Sequence, residues 1–197
     1  MSDLGLPRRS RVRQLLFNPV AGALIALIQA RGGENSPVSR LYWRKKSERR
    51  YRQLGKPKAN VSYDSPAVAA STPFLFFNVT KYTKLNPSVV VGARKLQPRQ
   101  LWAGDWVGVY QADLRNGTVR TVLEQETLRQ LTGAHRAWIT NLVAGWRDGR
   151  GLYCVVGLLA GPGTQGQGGV DYYLCGIDLV RRRLTKISRL EGKDAVT

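Results

Sequence analysis

The chain has 197 residues, 43% of them hydrophobic, and carries 31 Lys and Arg against 13 Asp and Glu, a formal charge of +18. That length and apolar share exclude wholesale disorder and fit one large domain or two small ones. Two cysteines and a single histidine (Cys154, Cys175, His135) are too few for a zinc site or a disulfide framework, and 21 glycines suit a turn-rich β protein.

The charge is uneven: residues 1–62 hold 14 basic and 3 acidic residues, the remainder 17 and 10. A field of this sign attracts polyanions such as nucleic acid or an anionic membrane face, although basic composition also serves solubility alone. The first basic cluster, PRRSRVR at 7–13, reads as a phosphate-binding arm, a targeting sequence or, the favoured reading, a disordered tail, which is placed at residues 1–11. The apolar run that follows, Leu15 to Ala30, has two readings. With its basic flank it resembles a secretory signal. It is short for a membrane span and is broken by Asn18-Pro19, so it also reads as two core strands around a turn. The repeat described next favours the strands, and no transmembrane span is expected.

Three segments share one pattern: SRLYWRKKSERRYRQLG (39–55), DWVGVYQADLRNGTVRTVLE (105–124) and DYYLCGIDLVRRRLTKISRLE (171–191). In each, a strand of about seven residues meets a polar turn and then a second strand. Asp113 and Asp178, Val119 and Leu184, and Val122 and Ile187 are all 65 residues apart; Tyr51 and Val119, and Leu54 and Val122, are 68 apart. Upstream of each lies another pair of strands, with turns at Asn18–Gly22, Ser71–Pro73 and Arg147–Gly149. Each unit is therefore a four-stranded antiparallel meander, and the units span about 12–56, 65–125 and 137–191. Residues 84–104 are an insertion within the middle unit that has room for a strand at Val89–Val91. Val122 to Gly133 suits a helical turn or two, with Glu124, Glu126, Arg129 and a Gly stop.

This is the repeat pattern of propeller blades. The strand–Asp–Leu–turn–strand runs VYQADLRNGTVRTVL and LCGIDLVRRRLTKIS resemble the propeller repeats of the TolB type, which also occur in oligogalacturonate lyases and in the propeller domains of prolyl-oligopeptidase relatives. The resemblance covers about residues 12–192, and the first unit departs from it with Lys45 where Asp would stand. It implies an all-β, β-propeller-like array of about three four-stranded antiparallel blades, a partial propeller in a single domain at 12–192 with a tail at 193–197. Propellers close with about four to eight blades, so three leave blade faces bearing Leu24, Ile25, Leu27, Phe74, Phe76, Leu152 and Val155 to be covered. The expectation is a protein partner, or a second copy of the chain, that completes the propeller.

The resemblance to lyases and hydrolases does not bring their chemistry with it. One histidine does not make the histidine-rich metal site of oligogalacturonate lyases, and these residues contain no nucleophile elbow. Asp113, Asp148 and Asp178 read as turn caps, and His135 as a hydrogen-bonded structural residue. GPGTQG at 161–166 lies between strands, out of context for a dinucleotide fingerprint. Cys154 and Cys175 lie on the two strands of one hairpin as near cross-strand neighbours and read as buried and reduced rather than as a disulfide. No catalytic residue, metal or cofactor is expected.

The richest candidate surface is SRLYWRKKSERRYRQLGKPK (39–58), with nine basic residues among three aromatics. Arg40, Arg44, Lys45, Lys46, Arg49, Arg50 and Arg52 would neutralise phosphates, and Tyr42 and Trp43 would stack on bases. The competing reading is a solvated outer strand whose cations block edge pairing. The functional expectation is a non-enzymatic binding or assembly module with a basic rim. The alternatives are a nucleic-acid or other polyanion binder, and a remnant of a TolB-like hydrolase or lyase. The cytoplasm is the favoured location, with a secreted or periplasmic one if the N-terminus acts as a signal.

Overall fold

The structure, a computed structural model, describes residues 5–7, 10–29, 38–84, 102–159 and 170–191. Among these residues it is all-β apart from one short helix, with twelve strands in three four-stranded antiparallel sheets. Sheet I holds β1 (Arg11–Asn18), β2 (Ala23–Gln29), β3 (Ser39–Lys45) and β4 (Arg52–Gln53) in chain order. Sheet II holds β5 (Val61–Val68), β6 (Phe74–Lys84), β7 (Trp102–Asp113) and β8 (Thr118–Glu124). Helix α1 (Gln125–Thr132) leads into sheet III, made of β9 (Arg136–Gly145), β10 (Gly151–Leu159), β11 (Val170–Asp178) and β12 (Arg183–Leu190). The sheets stack face to face in sequence, β5 lying between β3 and β9, and the array does not close.

The first strand of each sheet runs in the same direction. Ala69 and Gly145, at the ends of β5 and β9, form a parallel bridge. At the end of β1, Asn18 Nδ2 donates to Thr72 O at 2.9 Å across the gap to sheet II. The turns between the first and second and between the third and fourth strands of every sheet, six among the described residues, therefore lie at one end of the array, called the turn end below.

Two apolar layers hold the stack. Ile25, Leu27, Leu41, Trp43 and Leu54 of sheet I meet Tyr63, Leu75, Phe77, Val79 and Ala112 of sheet II. On the far side of sheet II, Phe76, Trp106, Val109 and Leu123, with Leu128 of α1, meet Ile139, Leu142, Leu152, Cys154, Val156 and Ile177. The middle sheet is thus covered on both faces, which is why β6 opens with a continuous apolar run, FLFF, rather than an alternation. Gly145 permits a close approach between sheets II and III: a Cβ there would stand 2.9 Å from Phe76.

The repeat extends to hydrogen bonds. In each sheet the turn between the third and fourth strands is tied to the turn between the first and second by one backbone bond: Lys46 N–H to Gly22 O, Leu114 N–H to Pro73 O, and Leu179 N–H to Arg150 O. The donors are 68 and 65 residues apart, the same offsets the sequence repeat carries. The β-bulges repeat too: Val122 in β8 and Ile187 in β12 are each the extra residue opposite the third strand.

The strand bounds differ slightly from the sequence reading. β1 begins at Arg11, so the basic cluster at 7–13 is partly strand. The middle unit begins at Val61 rather than 65, because Ser65-Pro66 is a bulge inside β5 and not its start. The last strand of sheet I shrinks to Arg52–Gln53. Ile25, Leu27, Phe76 and Leu152, expected on open faces, lie between sheets. Cys154 and Cys175 are paired across β10 and β11 as free, buried thiols. Desolvation pushes both up, Cys175 to about 11. Residues 85–101 of the insertion, with the strand expected at 89–91, and GPGTQG at 161–166 lie outside the described residues.

Candidate functional site

Three surfaces have the geometry to bind something: the rim formed by β3, β4 and their turn, the clefts between the first strands, and the two outer faces of the stack.

At the rim, the structure separates the nine residues expected to bind a polyanion. Tyr42 and Trp43 are 7% and 4% exposed, so the expectation that they stack on bases is corrected. β3 turns Trp43 toward sheet II, where its indole packs on Gly117, and turns Tyr42 to the other face, onto Ala26 and Ile28 beneath Leu6 and Tyr51. Apolar burial explains both: aromatic rings this large are stabilised more by covering a sheet than by facing water.

Arg40 is also diverted. Its guanidinium donates to the carbonyls of Val61, Lys58 (3.0 Å) and Ala59 (3.1 Å), tying β3 to the segment that enters sheet II. Burial lowers its pKa, with nearby Tyr63, Tyr42 and Asp64 opposing. Arg44 donates to Glu48 O and stacks 5.2 Å from the centre of the Tyr51 ring. Arg52 pairs with Glu48 and lies over Trp43. Glu48 Oε2 also accepts the Lys45 N–H at 3.3 Å. A Glu three residues into the turn thus does in sheet I what Asp113 and Asp178 do in the other two. The remaining four, Lys45, Lys46, Arg49 and Arg50, are exposed.

The clefts were not foreseen. Each first strand carries a bulge, at Arg13 in β1, at Ser65-Pro66 in β5 and at Thr140 in β9. Ser65 has φ +47°, a left-handed conformation rare for a residue with a side chain. Its hydroxyl donates to Asn141 Oδ1 (3.1 Å) and Thr140 O (3.4 Å), which holds the strained backbone in place. Buried Asn78 completes the seam: its Nδ2 donates to Ile139 O at 3.2 Å, and its Oδ1 accepts from Trp106 Nε1 at 3.3 Å. On the other side, Ser39 N–H donates to Ser62 Oγ, which donates to Asp64 Oδ1.

Asp64 faces both clefts. One, of about 660 Å³, lies between sheets II and III and is lined by Asn78, Tyr82, Asp105, Trp106, Arg136 and Trp138 among others. The smaller one holds Arg13, Gln14 and Ser65. Desolvation raises the Asp64 carboxyl to about 6, with Ser62 and the positive charges of Arg13 and Arg40 pulling the other way. The sequence signal for this seam was faint. Ser65-Pro66 within a strand marks an irregularity, and a polar Asn78 inside FLFFNV marks a buried hydrogen-bonding residue.

Asp113, Asp148 and Asp178 cap their turns, accepting from the N–H groups of Arg115, Arg150 and Val180 at 2.9, 3.0 and 2.9 Å. His135 is exposed where α1 leads into β9, so it does not hold the core together. Among the described residues, no group of three or more His, Cys, Asp or Glu is placed to hold a metal ion, and no helix is long and apolar enough to cross a membrane.

The outer faces are the third surface. On sheet I, Leu15 and Phe17 are 64% and 47% exposed. On sheet III, Val143, Tyr153 and Ile187 are 58%, 43% and 53% exposed, beside half-buried Val155 and Leu174. A scan against protein-family models and a search of curated proteins return no match for this chain.

Proposed function

We propose that the chain is a non-enzymatic assembly module of the propeller type, built to complete its ring with a second copy of itself. One observation carries this reading: the same two kinds of sheet face that are buried against each other twice inside the chain stand unpaired at its two ends. The face of sheet I that meets sheet II has its counterpart on the outside of sheet III, and the face of sheet II that meets sheet I has its counterpart on the outside of sheet I. Leu15 and Phe17 on one end and Tyr153, Val143 and Ile187 on the other are apolar residues in places where the internal sheets bury theirs. Joined head to tail, two chains supply six blades, within the range in which propellers close. Both ends are then covered by two equivalent interfaces around one two-fold axis.

The particle mass tests it. Light scattering is expected to give twice the 21.9 kDa of the chain. Leu15→Glu with Phe17→Glu should yield a single-chain particle with the same far-UV spectrum. A well-folded wild-type particle of one chain at micromolar concentration would overturn the reading.

A further inference from the structure

We propose that the turn end of the array binds the phosphate backbone of double-stranded nucleic acid. The inference rests on a different surface from the assembly reading and exists in one chain.

The turn end is strongly cationic because its acids are occupied. Glu48 pairs with Arg52, and Asp113 with Arg115. Asp148 and Asp178 accept backbone N–H groups within their own turns. What faces outward is Lys45, Lys46, Arg49 and Arg50 from sheet I and Arg147 and Arg182 from sheet III, all exposed and without an ion pair among the described residues. They stand on short turns cross-tied by the three repeated backbone bonds, so their positions are fixed with little further loss of chain entropy.

The chemistry of this surface selects among polyanions. Single strands are held by bases stacked on exposed aromatics, and here Tyr42 and Trp43 are buried. Anchoring to an anionic membrane uses Trp, Phe or Leu beside the cations. Among the described residues, the exposed large apolar side chains at the tips of these turns are Val20 and Val180. Fixed cations without stacking or insertion match a regular array of phosphates, and such contacts carry no sequence information.

The test is a salt series of fluorescence anisotropy with a labelled random-sequence DNA duplex, starting at low salt. We expect binding whose logarithmic dependence on salt is steep. The variant Lys45→Ser, Lys46→Ser, Arg49→Ser, Arg50→Ser should reduce that slope by about 3–4, at about 0.9 per lost phosphate contact. Lys56→Ser with Lys58→Ser, at the opposite end, should leave the slope unchanged. All four substituted rim residues are exposed, so an unchanged melting curve is the control for folding. Four results would overturn the proposal: no duplex binding at low salt, equal loss per charge in the Lys56 and Lys58 variant, tighter binding to oligo-dT than to duplex, or binding to phosphatidylserine vesicles without binding to duplex.

Discussion

Asp64 shows what burial of one charged residue does to the whole. Its carboxyl titrates near 6 in the fold instead of at its ordinary 3.8, with desolvation the largest cause. Below about pH 4 it is neutral in both folded and unfolded chains. Between 4 and 6 the unfolded chain loses its proton while the fold keeps it, so stability falls as pH rises. Above 6 the buried charge costs the fold its full amount, about 2–3 kcal/mol at 1.36 kcal/mol per pK unit. Asp64→Asn keeps an acceptor for the Ser62 hydroxyl and removes the charge. Urea unfolding should find the variant equal to wild type at pH 4 and more stable by up to that amount at pH 7. Parallel pH profiles for the two proteins would mean that water reaches the carboxyl freely. The same scale explains why two expected site residues were misplaced. Spacing puts Tyr42 and Trp43 in a basic strand but cannot say that sheet I has cover on both sides at that point, from sheet II and from Leu6 with Tyr51. A cation-rich stretch thus looked like a stacking surface when its rings were core.

At the scale of elements, the repeat was the legible part. The 65-residue offset read from Asp113, Val119 and Val122 recurs as turn caps, as strand register and as bulges, because a bulge moves every later side chain to the other face and is kept with the pattern. The first strands were harder to read, since β1 is exposed along most of its length and β5 is interrupted by Ser65-Pro66. Helix α1 was legible from its ends: Arg129 pairs with Glu126, and Gly133 stops the helix at φ +65° with its N–H on Arg129 O. What the sequence left open was its purpose. Leu128, wholly buried, plugs the end of the layer between sheets II and III beside Val109, Leu123 and Ile177. Leu128→Ala should therefore cost about 2–5 kcal/mol, the range for a large-to-small change in a packed core. Gly133→Ala should cost only about 1–2 kcal/mol, the penalty of a left-handed residue in open space. If chemical denaturation ranks the two the other way, α1 is a surface appendage rather than a plug.

At the scale of the molecule, a head-to-tail ring and a face-to-face dimer both double the mass, but they answer differently to a mixing experiment. Let one variant carry Leu15→Glu and Phe17→Glu, spoiling the outer face of sheet I, and another carry Tyr153→Glu and Ile187→Glu, spoiling that of sheet III. In a ring, each variant alone has lost a partner to every interface and is a single chain. Mixed, the intact sheet III face of the first meets the intact sheet I face of the second, and a two-chain particle returns with one interface of the two. It should need more protein to form than the wild-type particle, because closing the ring makes the second contact intramolecular and mixing cannot restore that. In a face-to-face dimer through sheet I, the second variant would pair with itself and the first would stay single whatever it was mixed with. Sedimentation of the two variants, apart and together, separates these cases. The stacking order inside the chain favours the ring, since no sheet in it meets another by the same face.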